Sequence, residues 1–123
     1  MSELRKGANI AARLAALAGH VFVIVDDLPK NAVATHVAKQ LVRAATSAGA
    51  NYEEARAAES RADFIHKLGI AVKEIRETIY WLELVHVDYE QKSITIDAID
   101  EAQQLAAILY SSQRTARLNA PRA

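Results

Sequence analysis

The sequence predicts an all-α protein, an up-down-up-down antiparallel four-helix bundle. Three observations carry this. Apolar residues recur at alternating steps of three and four, the period of a helix packed in a bundle. Apolar residues make up 51% of the chain, while four glycines and two prolines are few, which favours long helices over a sheet. The breaks between apolar stripes are short, so neighbouring helices run antiparallel. At 123 residues the chain forms one domain, 1–123, with helices expected at 3–25, 29–58, 61–87 and 96–118. One core is what a chain of this size buries.

The first helix carries the seam Ile10, Leu14, Leu17, Val21, Ile24 and stops at Asp26-Asp27-Leu28-Pro29. Proline tolerates the first turn of the next helix, and the aspartates before it suit that positive end. The second seam reads Ala34, Val37, Leu41, Ala44, Ala48, Asn51, Ala55, Ala58. Its alanines let a neighbouring helix approach closely. Gly49 lies within this helix at about 1 kcal/mol relative to Ala, a cost that close backbone approach explains.

Ser60 reads as the N-cap of the third helix, with Asp63 three residues on; this is a near-capping box. The third seam is Phe64, Leu68, Ala71, Ile75, Thr78, Leu82, Val85, widened by Ile65, Val72 and Ile79. The polar run Val87–Ser93 forms the next connection. Thr95 is expected to cap the fourth helix, with Asp97 in its first turn and Ile99, Ala102, Leu105, Ala106 and Leu109 facing inward. Beyond Ser111 the chain is polar and basic, and it frays past Leu118.

Fifteen basic and fifteen acidic side chains cancel, so net charge implies no polyanion partner. The absence of cysteine removes disulfides and thiol chemistry and fits a cytoplasmic protein. The run Val21–Val25 ends at two aspartates and falls short of the roughly 20 apolar residues of a membrane span. Neither a membrane span nor a targeting segment is expected.

The stretch QLVRAATSAGANYEEA followed by ES-ADFIHKLGIAVKEIRETIYWLEL, within Leu28–Val85, closely resembles the bacterial four-helix-bundle proteins related to those encoded in intervening sequences of large-subunit ribosomal RNA. Gln40, Ser47, Asn51, Glu54, Phe64, Lys73, Glu74, Glu77 and Trp81 fall at the motif positions. Helices one and four match in pattern. The resemblance implies a homo-oligomer, a ring of five. More distantly it extends to the accessory protein of diversity-generating retroelements, which works with a reverse transcriptase and binds nucleic acid. That relative is strongly basic and this chain is neutral, so at most weak, salt-sensitive nucleic-acid binding is expected, through Arg5, Lys6, Arg43, Arg114 and Arg117.

The polar motif residues admit a structural and a chemical reading. Asn51 lies on the alanine seam, with Ser47 and Glu54 on its flank; it reads as a register device that fixes helix pairing or, on the chemical reading, as a buried polar site, and Glu54 is expected to pair with either the opposite helix or a neighbouring subunit. Lys73 and Glu77, four apart, form a surface pair. Glu74 shares a flank with Lys67 and Trp81. Tyr80 points away from the core with Trp81 beside it, and an exposed aromatic pair marks an oligomer interface.

A di-iron site would need Glu-x-x-His on two helices and a further Glu on two others. Glu83-Leu84-Val85-His86 and the near-match Asp63-Phe64-Ile65-His66 fall on one helix, about 30 Å apart, so no metal site is expected. His20, His36, His66 and His86 read as boundary or surface residues. No phosphate-binding glycine loop is present, and no catalytic residue, cofactor or small-molecule ligand is expected.

The bundle topology sorts the charges by end. Asp26, Asp27, Asp88, Glu90, Asp97, Asp100 and Glu101 gather at one end against Lys30 and Lys92. Arg5, Lys6, Arg56, Arg61, Arg114, Arg117 and Arg122 gather at the other, offset by Glu3, Glu53, Glu54, Glu59 and Asp63. The first reading is a non-enzymatic homo-oligomeric scaffold or accessory protein. A nucleic-acid-binding accessory protein comes second, and a small enzyme using Glu54, Glu74 and Glu77 third.

Overall fold

The computed structural model describes residues 2–89 and 92–119. Among these the chain forms four α-helices: α1 Glu3–Asp26, α2 Ala32–Arg56, α3 Arg61–Asp88 and α4 Ser93–Leu118. Helices adjacent in sequence pack together and α4 closes back on α1, while among the described residues no Cα atoms of diagonally opposed helices come within 8 Å. This is the four-helix bundle that the seams predict. Glu90 and Arg122 lie outside the described residues, as does the side chain of Glu3.

Three helix starts are capped by side chains. Ser2 Oγ accepts from the Arg5 amide at 3.2 Å, Asn31 Oδ1 from Ala34 at 2.9 Å and Ser60 Oγ from Asp63 at 3.0 Å. The Ser60 cap is as the sequence indicates. The start of α2 is not: the helix begins three residues after Pro29, because Asn31 captures an amide that the helix leaves orphaned. Asp26 and Asp27 therefore sit at the negative end of α1, where the helix dipole opposes them. Lys92 offsets this, its Nζ lying 2.9 Å from Asp27 Oδ2. That contact, first by hydrogen bond and then by charge, lowers the Asp27 pKa.

The start of α4 also differs. Ser93 is its first residue, Lys92 occupies the cap without a side-chain bond, and Thr95 is buried rather than capping. Asp97 falls beyond the first turn. The buried face is Thr95, Ala98, Ala102, Leu105, Leu109 and Gln113, with Ile99 and Ala106 on its flank.

Leu14, Leu17, Val21, Leu41, Leu68, Ile75, Leu82, Leu105 and Leu109 fill the core. The α3 seam is buried as read from Leu68 to Val85, with Phe64 only partly covered. Thr78, fully buried, donates its hydroxyl to the Glu74 carbonyl at 2.8 Å and so leaves no orphaned polar group.

On α2 the seam shifts by one residue near its end. Tyr52 is buried and Asn51 only partly so. A run of alanines offers no size contrast to fix the inward azimuth, and the large ring takes the space they leave. A Cβ on Gly7 of α1 would lie 3.6 Å from the Tyr52 hydroxyl and 3.1 Å from Arg56 Nε. Gly7 thus makes room for both. Gly49 has no such duty, since a Cβ there would meet Leu14 Cβ at an ordinary 3.7 Å.

By length and composition Arg5–Asp26 is long and apolar enough to cross a membrane, contrary to the expectation from the shorter run at Val21. One edge of this helix, Leu14, Leu17, Val21 and Ile24, is part of the bundle core.

Candidate functional site

Most of the family-motif positions fall along the line where α2 meets α3; Lys73 is exposed and lies off it. Gln40, Ser47, Asn51 and Glu54 lie along the α3-facing flank of α2, and Lys67, Glu74, Glu77 and Trp81 lie along the facing flank of α3. Helical spacing places each set on one side of its helix.

Several polar side chains on these flanks pair with one another. Arg43 is central: Nη1 is 3.0 Å from Glu74 Oε2, Nη2 pairs with Glu77, and Nε donates to Gln40 Oε1 at 3.3 Å. Glu77 is thus held by Arg43 of the neighbouring helix and not by Lys73, as the four-residue spacing suggested. Lys73 is exposed. Glu54 accepts from Lys67 Nζ at 3.2 Å, inside the same chain. Asn51 Nδ2 donates to the Ser47 carbonyl and hydroxyl at 3.0 and 3.1 Å. It therefore bonds its own helix and does not bridge to another, so it does not act as the cross-helix register device expected.

These pairs also separate the carboxylates. Glu54 lies eleven residues along α2 from Arg43, about 16 Å at helical rise. The structure does not bring Glu54 to Glu74 and Glu77. The latter two share one guanidinium, which offsets one of their two charges.

Trp81 lies on the flank beside Glu74 as expected, but is less exposed than the sequence implies. Its ring is half-buried against the core, edge-on to His36 with centroids 6.0 Å apart and to Tyr80 at 5.0 Å. The indole serves packing within the chain, and only Tyr80, 57% exposed, stands in water. Among the described residues, Trp81 Nε1, His86 Nδ1 and Glu77 Oε2 are buried without a geometrically sound hydrogen bond, although Glu77 Oε2 is the oxygen that faces the Arg43 charge. His20, His36 and His66 are exposed, and His86 is half-buried.

Arg5, Lys6, Arg114 and Arg117 are exposed at one end of the bundle, joined there by Arg61. The nearby carboxylates Glu53 and Glu54 are engaged by Arg56 and Lys67. Among the described residues, no ion pair involves Arg5, Arg61, Arg114 or Arg117. Arg43 does not belong with them, because two glutamates take its charge.

At the opposite end a cleft of about 370 Å³ opens between the α1–α2 and α3–α4 connections. Ile24, Leu28, Val85 and Ile94 form its apolar walls, with the Asp27–Lys92 pair at the rim. Among the described residues, no group of three or more His, Asp or Glu side chains is placed to hold a metal ion.

One contact has no signal in the local sequence. Arg13 of α1 reaches α4, with Nε 2.9 Å from Glu101 Oε2, Nη2 2.6 Å from Glu101 Oε1 and Nη2 3.2 Å from Gln104 Oε1. The hydrogen bond from Arg13 lowers the Glu101 pKa against a smaller opposing effect of burial, and Glu101 in turn raises that of Arg13.

A crystal structure at 1.70 Å of a protein of unknown function from the S23 ribosomal protein family of Bacteroides thetaiotaomicron VPI-5482 is similar, with a TM-score of 0.77 and 33% identity over 89% of this chain and 98% of that one. A comparison with curated proteins found no match. The sequence pattern of the 23S rRNA-intervening sequence proteins matches residues 8–111. On the length of that match, and with a bundle of the same fold sharing a third of its residues, the chain belongs to the 23S rRNA-intervening sequence protein family.

Proposed function

We propose that this protein is a non-enzymatic, cytoplasmic, homo-oligomeric helical bundle that serves as a scaffold or accessory subunit. The observation that carries the reading is the state of the motif side chains. Arg43 pairs with Glu74 and Glu77, and Lys67 pairs with Glu54, so these side chains hold α2 to α3 at two separate points. A general acid or base instead needs a carboxyl free to face substrate in an open site. Assembly, a ring of five by the family resemblance, supplies the function a small self-satisfied bundle lacks alone. Light scattering on the purified chain at micromolar concentration tests it. A particle several times the 13.5 kDa chain mass is expected, and a monomer overturns the reading.

Nucleic-acid binding is the second reading, favoured by the exposed arginines at one end, Arg5, Arg61, Arg114 and Arg117. Electrostatic retention of that kind weakens steeply with salt. Retention on RNA at low salt that is lost at physiological salt is the expected outcome. Tight binding at physiological salt that disappears in Arg114→Ala/Arg117→Ala would make this second reading the first.

A further inference from the structure

The cleft between the α1–α2 and α3–α4 connections reaches into the core. Three of its walls, Ile24, Leu28 and Val85, are 4%, 7% and 2% exposed. Its volume of about 370 Å³ is that of a small-molecule site, and its walls are mainly apolar, as such sites are.

Helix α4 starts at this cleft without a cap. Ser2, Asn31 and Ser60 each close a helix start with a side-chain oxygen, whereas Lys92 at the start of α4 supplies none. The amides of Ser93 and Ile94 therefore have no acceptor within the helix or from its cap side chain. Such amides, together with the helix dipole, favour negative charge.

A second observation points to a ligand there. Thr95 lines the cleft at 2% exposure, and among the described residues its hydroxyl makes no hydrogen bond. Thr78, equally buried on α3, donates its hydroxyl to the carbonyl of Glu74, four residues back. Thr95 stands in the first turn of α4, so its own helix has no carbonyl four residues back. A buried hydroxyl left unpaired is costly. One that faces a cleft is in place for a partner from outside the chain.

The charges at the rim select that partner. Asp27 and Lys92 lie side by side, carboxylate and ammonium 2.9 Å apart. A simple anion meets Asp27 and, around the same end of the bundle, Asp26, Asp88 and Asp97. A simple cation meets Lys92 and the positive start of α4. A molecule that carries both charges on one carbon suits both groups. Its ammonium faces Asp27, and its carboxylate faces Lys92, the Thr95 hydroxyl and the first amides of α4. Its apolar remainder lies among Ile24, Leu28, Val85 and Ile94.

We propose that this cleft binds a free apolar α-amino acid, of the leucine or phenylalanine kind. The site stands apart from the assembly proposed above and does not depend on it. Its walls come from both connections, so no single stretch of sequence announces it, and the sequence alone leads to no small-molecule ligand.

Isothermal titration calorimetry of the full chain with L-leucine and L-phenylalanine at millimolar concentration tests this. Saturable binding of at least one is expected. Glycine lacks the apolar group, isocaproate and hydrocinnamate lack the ammonium, and phenethylamine lacks the carboxylate. Each should bind about tenfold more weakly or not at all, the scale of one lost charged contact. Thr95→Val keeps the shape of the side chain and removes the hydroxyl, and it should weaken binding about tenfold with unchanged helical circular dichroism. Asp27→Asn should weaken it likewise. The Asp27 side chain is 59% exposed, so this variant keeps the fold even if Thr95→Val does not. Absence of saturable binding by either amino acid overturns the proposal. Hydrocinnamate or phenethylamine binding as tightly as phenylalanine overturns the choice of a zwitterion. Binding unchanged in Asp27→Asn and in folded Thr95→Val puts the ligand elsewhere on the molecule and overturns the site.

Discussion

Arg13 and Glu101 join the least extensively packed pair of neighbouring helices, α1 and α4, through two hydrogen bonds of 2.9 and 2.6 Å. The fork of the guanidinium matches the two carboxylate oxygens, the geometry in which an ion pair holds best. Both side chains remain about one-third exposed, at 36% and 29%. Solvent therefore screens the pair, and its contribution is on the order of 1 kcal/mol or less.

The pair makes stability depend on acid. The Glu101 carboxyl is held below its ordinary value of 4.5. A carboxyl lowered in the folded state adds stability that is fully present above its unfolded pKa and is lost as pH falls through the folded one. Glu101→Gln should therefore melt below wild type at pH 7. The gap should close as the pH is taken below 4.5. Thermal unfolding followed by circular dichroism across that range checks this, and a gap constant with pH would assign the loss to packing.

Leu82 is fully buried in the C-terminal part of the α3 seam. Leu82→Ala should cost about 2–5 kcal/mol, the range for a large core side chain removed without full collapse of the cavity. Urea unfolding measures it, and a variant as stable as wild type would place the seam elsewhere.

Tyr52 and Asn51 distinguish the two azimuths of α2. Tyr52 is 6% exposed and reaches toward Gly7, whereas Asn51 bonds only Ser47 one turn below. Tyr52→Ala should destabilise by about 3 kcal/mol, as expected for a buried aromatic. Asn51→Ala should change stability by about 0.5 kcal/mol or less, since helix propensity repays the lost bond. Equal effects would contradict the azimuth.

Gly69 allows the close approach of Gln113. A Cβ there would lie 2.7 Å from Gln113 Nε2, and Gln113 is 7% exposed, with little room to retreat. Gly69→Ala should therefore fail to deliver the roughly 1 kcal/mol that helix propensity favours. The same change in a Gln113→Ala background should deliver it. Equal shifts in both backgrounds would show that Gln113 moves aside freely.

Much of the architecture was legible because it rests on local periodicity. Four stripes, their breaks and the Ser60 cap depend on residues three or four apart, and they determine the number, order and antiparallel sense of the helices. The third seam was read correctly from Leu68 to Val85, since large and small side chains alternate there. On α2 the alanines give no such contrast, and the inward position fell one residue away, on Tyr52. The starts of α2 and α4 were displaced for a related reason. Asn31 and Lys92 compete with Pro29 and Thr95 as boundaries, and burial of Thr95 decides the second case.

The sequence by itself determined the family motif and the residue types in it, but not what those residues do. Whether Glu77 pairs with Lys73 or Arg43, and whether Trp81 faces water or His36, depends on the rotation of α2 against α3. That rotation is set by the packing of Leu41, Leu68, Ile75 and Leu82 in the core. Arg13 and Glu101 are separated by 88 positions, and no local pattern links them. Only closure of α4 onto α1 brings them into contact, because helix faces are positioned by burial across the whole bundle while the hydrogen bonds of a helix run only from one turn to the next.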